Sequence, residues 1–215
     1  LPSALHSFFE VAFFISAVWM SGFIGKNSQA ANQIALNLSS MTYMVALGVG
    51  VAAMIRVGNQ RGMMNFKKLR EVALSTILLI ISIDVIFCMI FLFFNDFLPL
   101  LYLDPNNPSS LNDVNQVLEI ASKLLIVAGV FQLFDGIQAV VLGALRGMQD
   151  VNKPAIIIFL SYGVIGFPIS YYLGFYTSLS MVGIWLGLLS GLFSSSLFLF
   201  LRFNYLSRKI IRLND

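Results

Sequence analysis

FQLFDGIQAVVLGALRGMQDVNKP, residues 131–154, sets a single acid, Asp135, inside a long apolar run. Gln132 and Gln138 stand three residues to either side of it. Residues three apart share a helix face, so the spacing predicts a polar stripe on an otherwise apolar helix. Asp135 falls near the centre of the run 124–145. A carboxylate at a bilayer midplane costs about 2.5–3.5 kcal/mol on insertion scales. An acid kept there against that cost is a candidate functional group.

Working outward, the rest of the chain has the same character. It is 58% hydrophobic and 11% charged, with a mean hydropathy of +0.86, whereas soluble domains carry roughly 25% charged residues. The runs 5–23, 31–57, 72–94, 117–145, 154–173 and 181–201 reach or approach the ~20 residues that cross a bilayer as a helix. The expected fold is therefore an all-α integral membrane protein, a bundle of six transmembrane helices. Pro154 suits the first turn of the fifth span, and Gly163, Gly166 and Pro168 predict an interruption within it. The chain opens on Leu-Pro-Ser with no signal segment before the first run, which reads as a piece of a longer protein. The lone Cys88 lies in an apolar run and offers neither a disulfide nor a thiolate metal site. The basic residues lie between spans and not on one folded face, which excludes nucleic acid as a partner.

Charge predicts the orientation. Arg56, Arg61, Lys67, Lys68, Arg70, Arg146, Lys153, Arg202, Arg208, Lys209 and Arg212 fall on one side of the six spans, and Lys26 and Lys123 on the other. Cytoplasmic loops carry the excess of Lys and Arg, so both ends of the chain are expected in the cytoplasm. The opposite side holds Asp96, Asp104, Asp113 and Glu119. Small residues predict the packing seams: Gly183, Gly187, Gly191 and Ser195 repeat at four, and Gly129, Gly136 and Gly143 at seven. In lipid, such stripes let helix backbones approach closely.

Two further polar sets stand out. Ser3, His6, Ser7 and Glu10 share a face of the first span, and Asn32, Gln33, Asn37, Ser39 and Ser40 open the second. Glu10 reads as a carboxylate facing a water-filled cavity, or as an interfacial acid paired with His6. Asp84 differs, because its helical neighbours Ile80, Ile81, Phe87 and Cys88 are apolar. It stands alone and is left out of the main site.

Taken in order, FFEVAFF around Glu10, AANQIALNLSSMTYM, GVAAMIRVGNQRG, YLDPN, FQLFDGIQAVVLGALRGMQD and GFPISYYLGF resemble the C-terminal six-helix half of a multidrug and toxic compound extrusion (MATE) transporter of the NorM-like bacterial branch. The resemblance covers nearly the whole chain. It implies one lobe of a two-lobe, twelve-helix transporter, with residues 1–205 forming the six-helix bundle and 206–215 a basic cytoplasmic tail. It also implies a multi-pass protein of the bacterial inner membrane. Its partners would be the N-terminal six-helix half of the same transporter, cationic amphipathic drugs and the bilayer. No cofactor is implied beyond Na+ or H+ as the coupling ion. Glu10 and Asp135 match the family's acids in the first and fourth helices of this half and would couple the cation, with Na+ placed at Asp135. Asn37, Tyr43, Phe131, Gln132 and Gln138 would line the cavity, and Phe131 and Tyr43 would add cation–π contacts. One position departs from the pattern: NorM-like members often carry a tyrosine four residues before the Asp, where this chain has Phe131, so that hydroxyl ligand is missing.

Three other readings compete. A lipid-linked saccharide flippase of related two-bundle design would want a cationic central cavity, whereas the midplane charges here are acidic. An intramembrane aspartyl protease would use Asp84 and Asp135 in a GxGD setting, but Asp135 is preceded by Leu133-Phe134. A membrane scaffold would leave both acids dispensable.

Overall fold

The computed structural model describes the backbone of residues 2–103 and 111–214 and the side chains of residues 8–103 and 112–214. Ser3, His6, Ser7 and Asp104, named above, have side chains outside that range. The chain runs α1 (Pro2–Ile24), α2 (Lys26–Gly62), α3 (Phe66–Phe93), a short 3-10 turn (Leu98–Leu101), α4 (Leu111–Gly147), α5 (Asn152–Leu160), a π-helical turn (Ser161–Gly166), α6 (Phe167–Phe175) and α7 (Ser180–Asn214). Five stretches are long and apolar enough to cross a membrane: 26–62, 66–93, 112–147, 152–175 and 180–214. The described apolar part of α1, Phe8–Ile24, makes a shorter sixth. The chain is a multi-pass membrane protein, all-α among its described residues.

Each connection follows from local chemistry. Only Gly25 separates α1 from α2, and its φ of 152° lies in a region that disfavours a side chain. Asn65 caps α3 by accepting the Lys68 N–H at 3.1 Å, which satisfies one of the helix's free amides. The fifth span is α5, the π turn and α6 in succession. Pro168 lies in the first turn of α6, where a proline lacks the N–H of the helical ladder and crowds the preceding turn. The wide turn of Ser161–Gly166 takes up that mismatch, and it is the interruption the sequence predicted there.

The longest helices form the frame. α4 has 37 residues, roughly 55 Å at 1.5 Å per residue, so its ends pass well beyond a ~30 Å apolar slab. It occupies the centre, packed against α2, α3 and α7. Close backbone approach makes these seams possible. A Cβ built on Gly143 would fall 2.1 Å from the Gly50 carbonyl oxygen, and one on Gly147 would fall 2.6 Å from that of Met54. On α7, a Cβ on Gly183 would meet the Leu173 carbonyl at 2.4 Å and one on Gly187 the Ser170 backbone at 2.2 Å. Gly183 and Gly187 thus form the α6–α7 seam, and Gly191 meets Gly166 of the π turn and Phe13 of α1. The seven-residue series divides: Gly129 and Gly136 face Cys88 and Asp84 of α3, whereas Gly143 faces α2. A seven-residue repeat drifts by ~20° per step on a straight helix, and two steps carry it towards the neighbouring helix.

Polar pairs hold the two ends of the bundle. At one end Arg70 donates to Ser207 Oγ and Asn204 Oδ1, both at 2.8 Å. Arg202 Nε donates to Asp150 Oδ2 at 2.9 Å. Residues 206–214 are a direct continuation of α7, with Ser207 buried against α3. At the other end Lys26 Nζ meets Asp113 Oδ2 at 2.6 Å, and Asn27 donates to Asp113 Oδ1 and Gln116 Oε1. The exposed faces are apolar, with Phe8, Trp19, Phe23, Met41 and Met44 among their residues. Such faces suit lipid or a second apolar surface.

Candidate functional site

α1, α2 and α4 converge on the two acids. The face of α4 that carries Asp135 is buried, and Gln132, Asp135 and Gln138 are only 3%, 6% and 1% exposed. They form the polar stripe predicted from their spacing. Glu10 comes to it from α1, at 9% exposed. A cavity of about 460 Å³ lies between the three helices. Glu10, Val11 and Phe14 line it from α1; Leu36, Ser39, Ser40, Tyr43 and Leu47 from α2; and Phe131 and Asp135 from α4. The two carboxylates therefore open into one space, shared with two aromatic rings from α1 and α4 and a phenol from α2.

Hydrogen bonds fix Glu10 to its surroundings. Tyr43 donates its phenolic hydroxyl to Glu10 Oε1 at 3.3 Å, and Gln138 Nε2 approaches the same oxygen at 3.4 Å. Gln138 in turn exchanges hydrogen bonds of 2.7 and 2.9 Å with the Tyr162 hydroxyl. Tyr162 stacks on Phe13 of α1 with ring centroids 4.5 Å apart. A chain of contacts thus runs from α2 through Glu10 and Gln138 to the π turn. Asp135 is held differently: its Oδ1 is buried with no hydrogen-bond partner among the described residues, and so is the Ser39 hydroxyl on the same cavity wall. Buried oxygens left in this way cost free energy until a proton, a cation or water reaches them.

Phe131 sets the cavity wall at the next turn of α4. Its ring meets Phe14 edge-on at 5.9 Å and Trp185 at 5.6 Å. The Trp185 indole donates to Asn32 Oδ1 at 3.0 Å, so one polar residue of early α2 serves to dock α7. Among the other candidates, Gln132 is buried behind the cavity wall, with neither amide atom partnered among the described residues. Asn37 is exposed on α2 and lines neither cavity at this site.

Three participants were not legible in the sequence. Tyr162 is 2% exposed and partners Gln138; its only signal was the need of a buried amide for a partner. Asp84 is 1% exposed and sits against Gly136, next to Asp135 in the chain. Its isolation on the face of α3 hid the fact that α4 offers it a glycine. Arg146, counted above only as a loop charge, lines a smaller cavity of about 110 Å³ together with Glu10, Tyr43 and Gln138.

Comparison with known proteins places this arrangement. The MatE family model matches residues 2–172. A protein of Agrobacterium fabrum named "Probable multidrug resistance protein NorM" is 36% identical over 211 residues, which is 97% of this chain and 44% of that protein. "Multidrug resistance protein MdtK" of Proteus mirabilis is 33% identical over 216 residues, covering 97% of this chain and 45% of its own length. The fold matches a crystal structure of MATE in the bent conformation with a TM-score of 0.87 at 18% identity, over 99% of this chain and 45% of that one. The chain spans less than half the length of these relatives, as one half of a two-lobe transporter does.

Proposed function

The chain belongs to the MatE family, and from that premise we propose that it is the C-terminal lobe of a cation-coupled antiporter that exports cationic, amphipathic compounds. Members of the family are transporters, not enzymes, which removes the protease reading. The observation that carries the proposal is the shared cavity: Glu10 and Asp135 line one space of drug-like size with Phe14, Phe131 and Tyr43. A space of that size with apolar walls and a few placed polar groups suits a small organic ligand. Acidic groups select a cation, and aromatic faces add to its attraction.

The coupling follows from desolvation. A carboxyl held out of water cannot keep its charge without a partner; it takes a proton or holds a metal cation. Na+ or H+ arriving from outside would neutralise Glu10 and Asp135 and remove the charge that holds a cationic drug. The N-terminal six-helix half of the same protein would supply the facing wall, against the exposed apolar faces of α1 and α2, and the lobes would rock to alternate access. The excess of Arg and Lys at one end supports an orientation with both termini of this segment on the cytoplasmic side of the bacterial inner membrane. The acidic lining argues against a flippase that grips pyrophosphate.

The test uses the complete protein in vesicles loaded with a cationic dye. Dye should leave when an inward Na+ or H+ gradient is imposed and stop when the gradient is collapsed. Dye movement indifferent to both gradients would overturn the proposal.

A further inference from the structure

Two cavities meet at Glu10. The larger one holds Asp135; the smaller is lined by Glu10 of α1, Tyr43 and Met54 of α2, and Gln138 and Arg146 of α4, among others. Glu10, Tyr43 and Leu47 line both. The smaller recess follows the α2–α4 seam from Gln138 to Arg146, which is roughly 12 Å of helix. Its 110 Å³ has room for a few water molecules, since one needs only ~10–15 Å³ of such space. Polar groups stand along it, with Glu10 and Gln138 at one end and Arg146 in the last turn of α4 at the other. Between them the walls are apolar, with Val51, Met54 and Leu142 beside the contact of Gly50 with Gly143. The Tyr43 hydroxyl, bonded to Glu10, stands at the boundary between the two spaces.

Resting on the antiport reading above, we propose that this recess is the route by which a proton leaves Glu10 for the basic end of the bundle. Tyr43 is its gate and Arg146 the counter-charge at its mouth. In the step, the O–H bond of protonated Glu10 breaks and the proton passes to a water in the recess and on to bulk. The carboxylate left behind shares the recess with the Arg146 guanidinium. Among the described residues, the titratable and charged groups around Glu10 are Tyr43 on α2, Asp135 and Arg146 on α4 and Tyr162 in the π turn, and Arg146 is the permanent cation of that set. Arg146 is thus a positioning residue: it acts through Glu10 and lies away from the drug cavity.

The experiment uses the complete transporter in proteoliposomes, with equilibrium binding of a fluorescent cationic dye measured beside dye efflux driven by a pH gradient. Arg146→Gln should leave the dye Kd within about threefold of wild type and lower efflux at least tenfold, with most of the rate restored by Arg146→Lys. Raising the pH on both sides at a fixed pH gradient should recover part of the lost rate, an effect that a merely structural role would not produce. Met54→Trp, which fills the recess without touching a charge, should give the same split between binding and efflux. Wild-type efflux by either Arg146→Gln or Met54→Trp would overturn the proposal, and so would an equal loss of binding and efflux in both. Efflux by wild type that responds to Na+ alone would overturn the proton route while leaving antiport intact. A wild type that moves no dye under either gradient would remove the antiport reading itself.

Discussion

Asp84 closes against Gly136: a Cβ at residue 136 would lie 1.9 Å from the Asp84 carboxylate and 2.8 Å from Ile80. One acid of α3 therefore packs on the backbone of α4 at the residue next to Asp135, outside the lining of the cavity. Its Oδ2 has no hydrogen-bond partner among the described residues. The isolated acid of the third span is a packing neighbour of the site helix, and its place was set by a glycine on the opposite helix.

Gly136→Ala should therefore lower stability by about 1–3 kcal/mol, the usual range for overpacking. Asp84→Ala should relieve it, so the double variant should be more stable than the two single losses summed. Thermal unfolding in detergent measures all three. Simple additivity would show that the two residues do not meet.

The orientation can be checked with the native thiol in place, since Cys88 is buried. Met63 lies at the α2–α3 connection and Tyr176 at the end of α6, and they are 64% and 69% exposed. Met63→Cys should react with a membrane-impermeant maleimide only after the cytoplasmic face is opened, and Tyr176→Cys in intact cells. The reverse pattern would invert the topology and the direction of transport.

The spans were legible because each rests on composition over some twenty residues. The polar stripe of α4 was legible because its period lies in one helix. What could not be read were contacts between helices. Nothing near Gln138 in sequence points to Tyr162, which lies beyond a turn and in an irregular segment. Arg146 was read as a loop charge because the recess that admits it is formed between α2 and α4 and has no signature in either helix alone.

Tyr162→Phe probes one of these unread contacts. It keeps the ring stacked on Phe13 and removes the hydroxyl that Gln138 shares. A buried amide left short of a partner costs about 1–3 kcal/mol. The variant should unfold at a lower temperature by a matching amount, and efflux should fall less than dye binding allows for Glu10→Gln. An unchanged melting temperature would mean that water replaces the hydroxyl.

Asp135→Asn bears on the residue around which the lobe is built. The amide keeps the size of the side chain and its capacity to hydrogen-bond, and removes the group that can take a proton or hold a cation as a charge partner. If Asp135 served only to pack α4, the amide would be tolerated or favoured, since it avoids the ~2.5–3.5 kcal/mol cost of a midplane charge. If Asp135 couples ion to drug, the variant should insert and melt like wild type yet lose at least tenfold in gradient-driven efflux. Asp84→Asn, outside the lining of the cavity, should cost much less. The measurement is dye efflux from vesicles containing the complete protein, matched for expression, with Na+ and H+ gradients imposed separately. Near-normal efflux by Asp135→Asn under both gradients would assign the stripe of Gln132, Asp135 and Gln138 to packing and move the search for the coupling group to Glu10 alone.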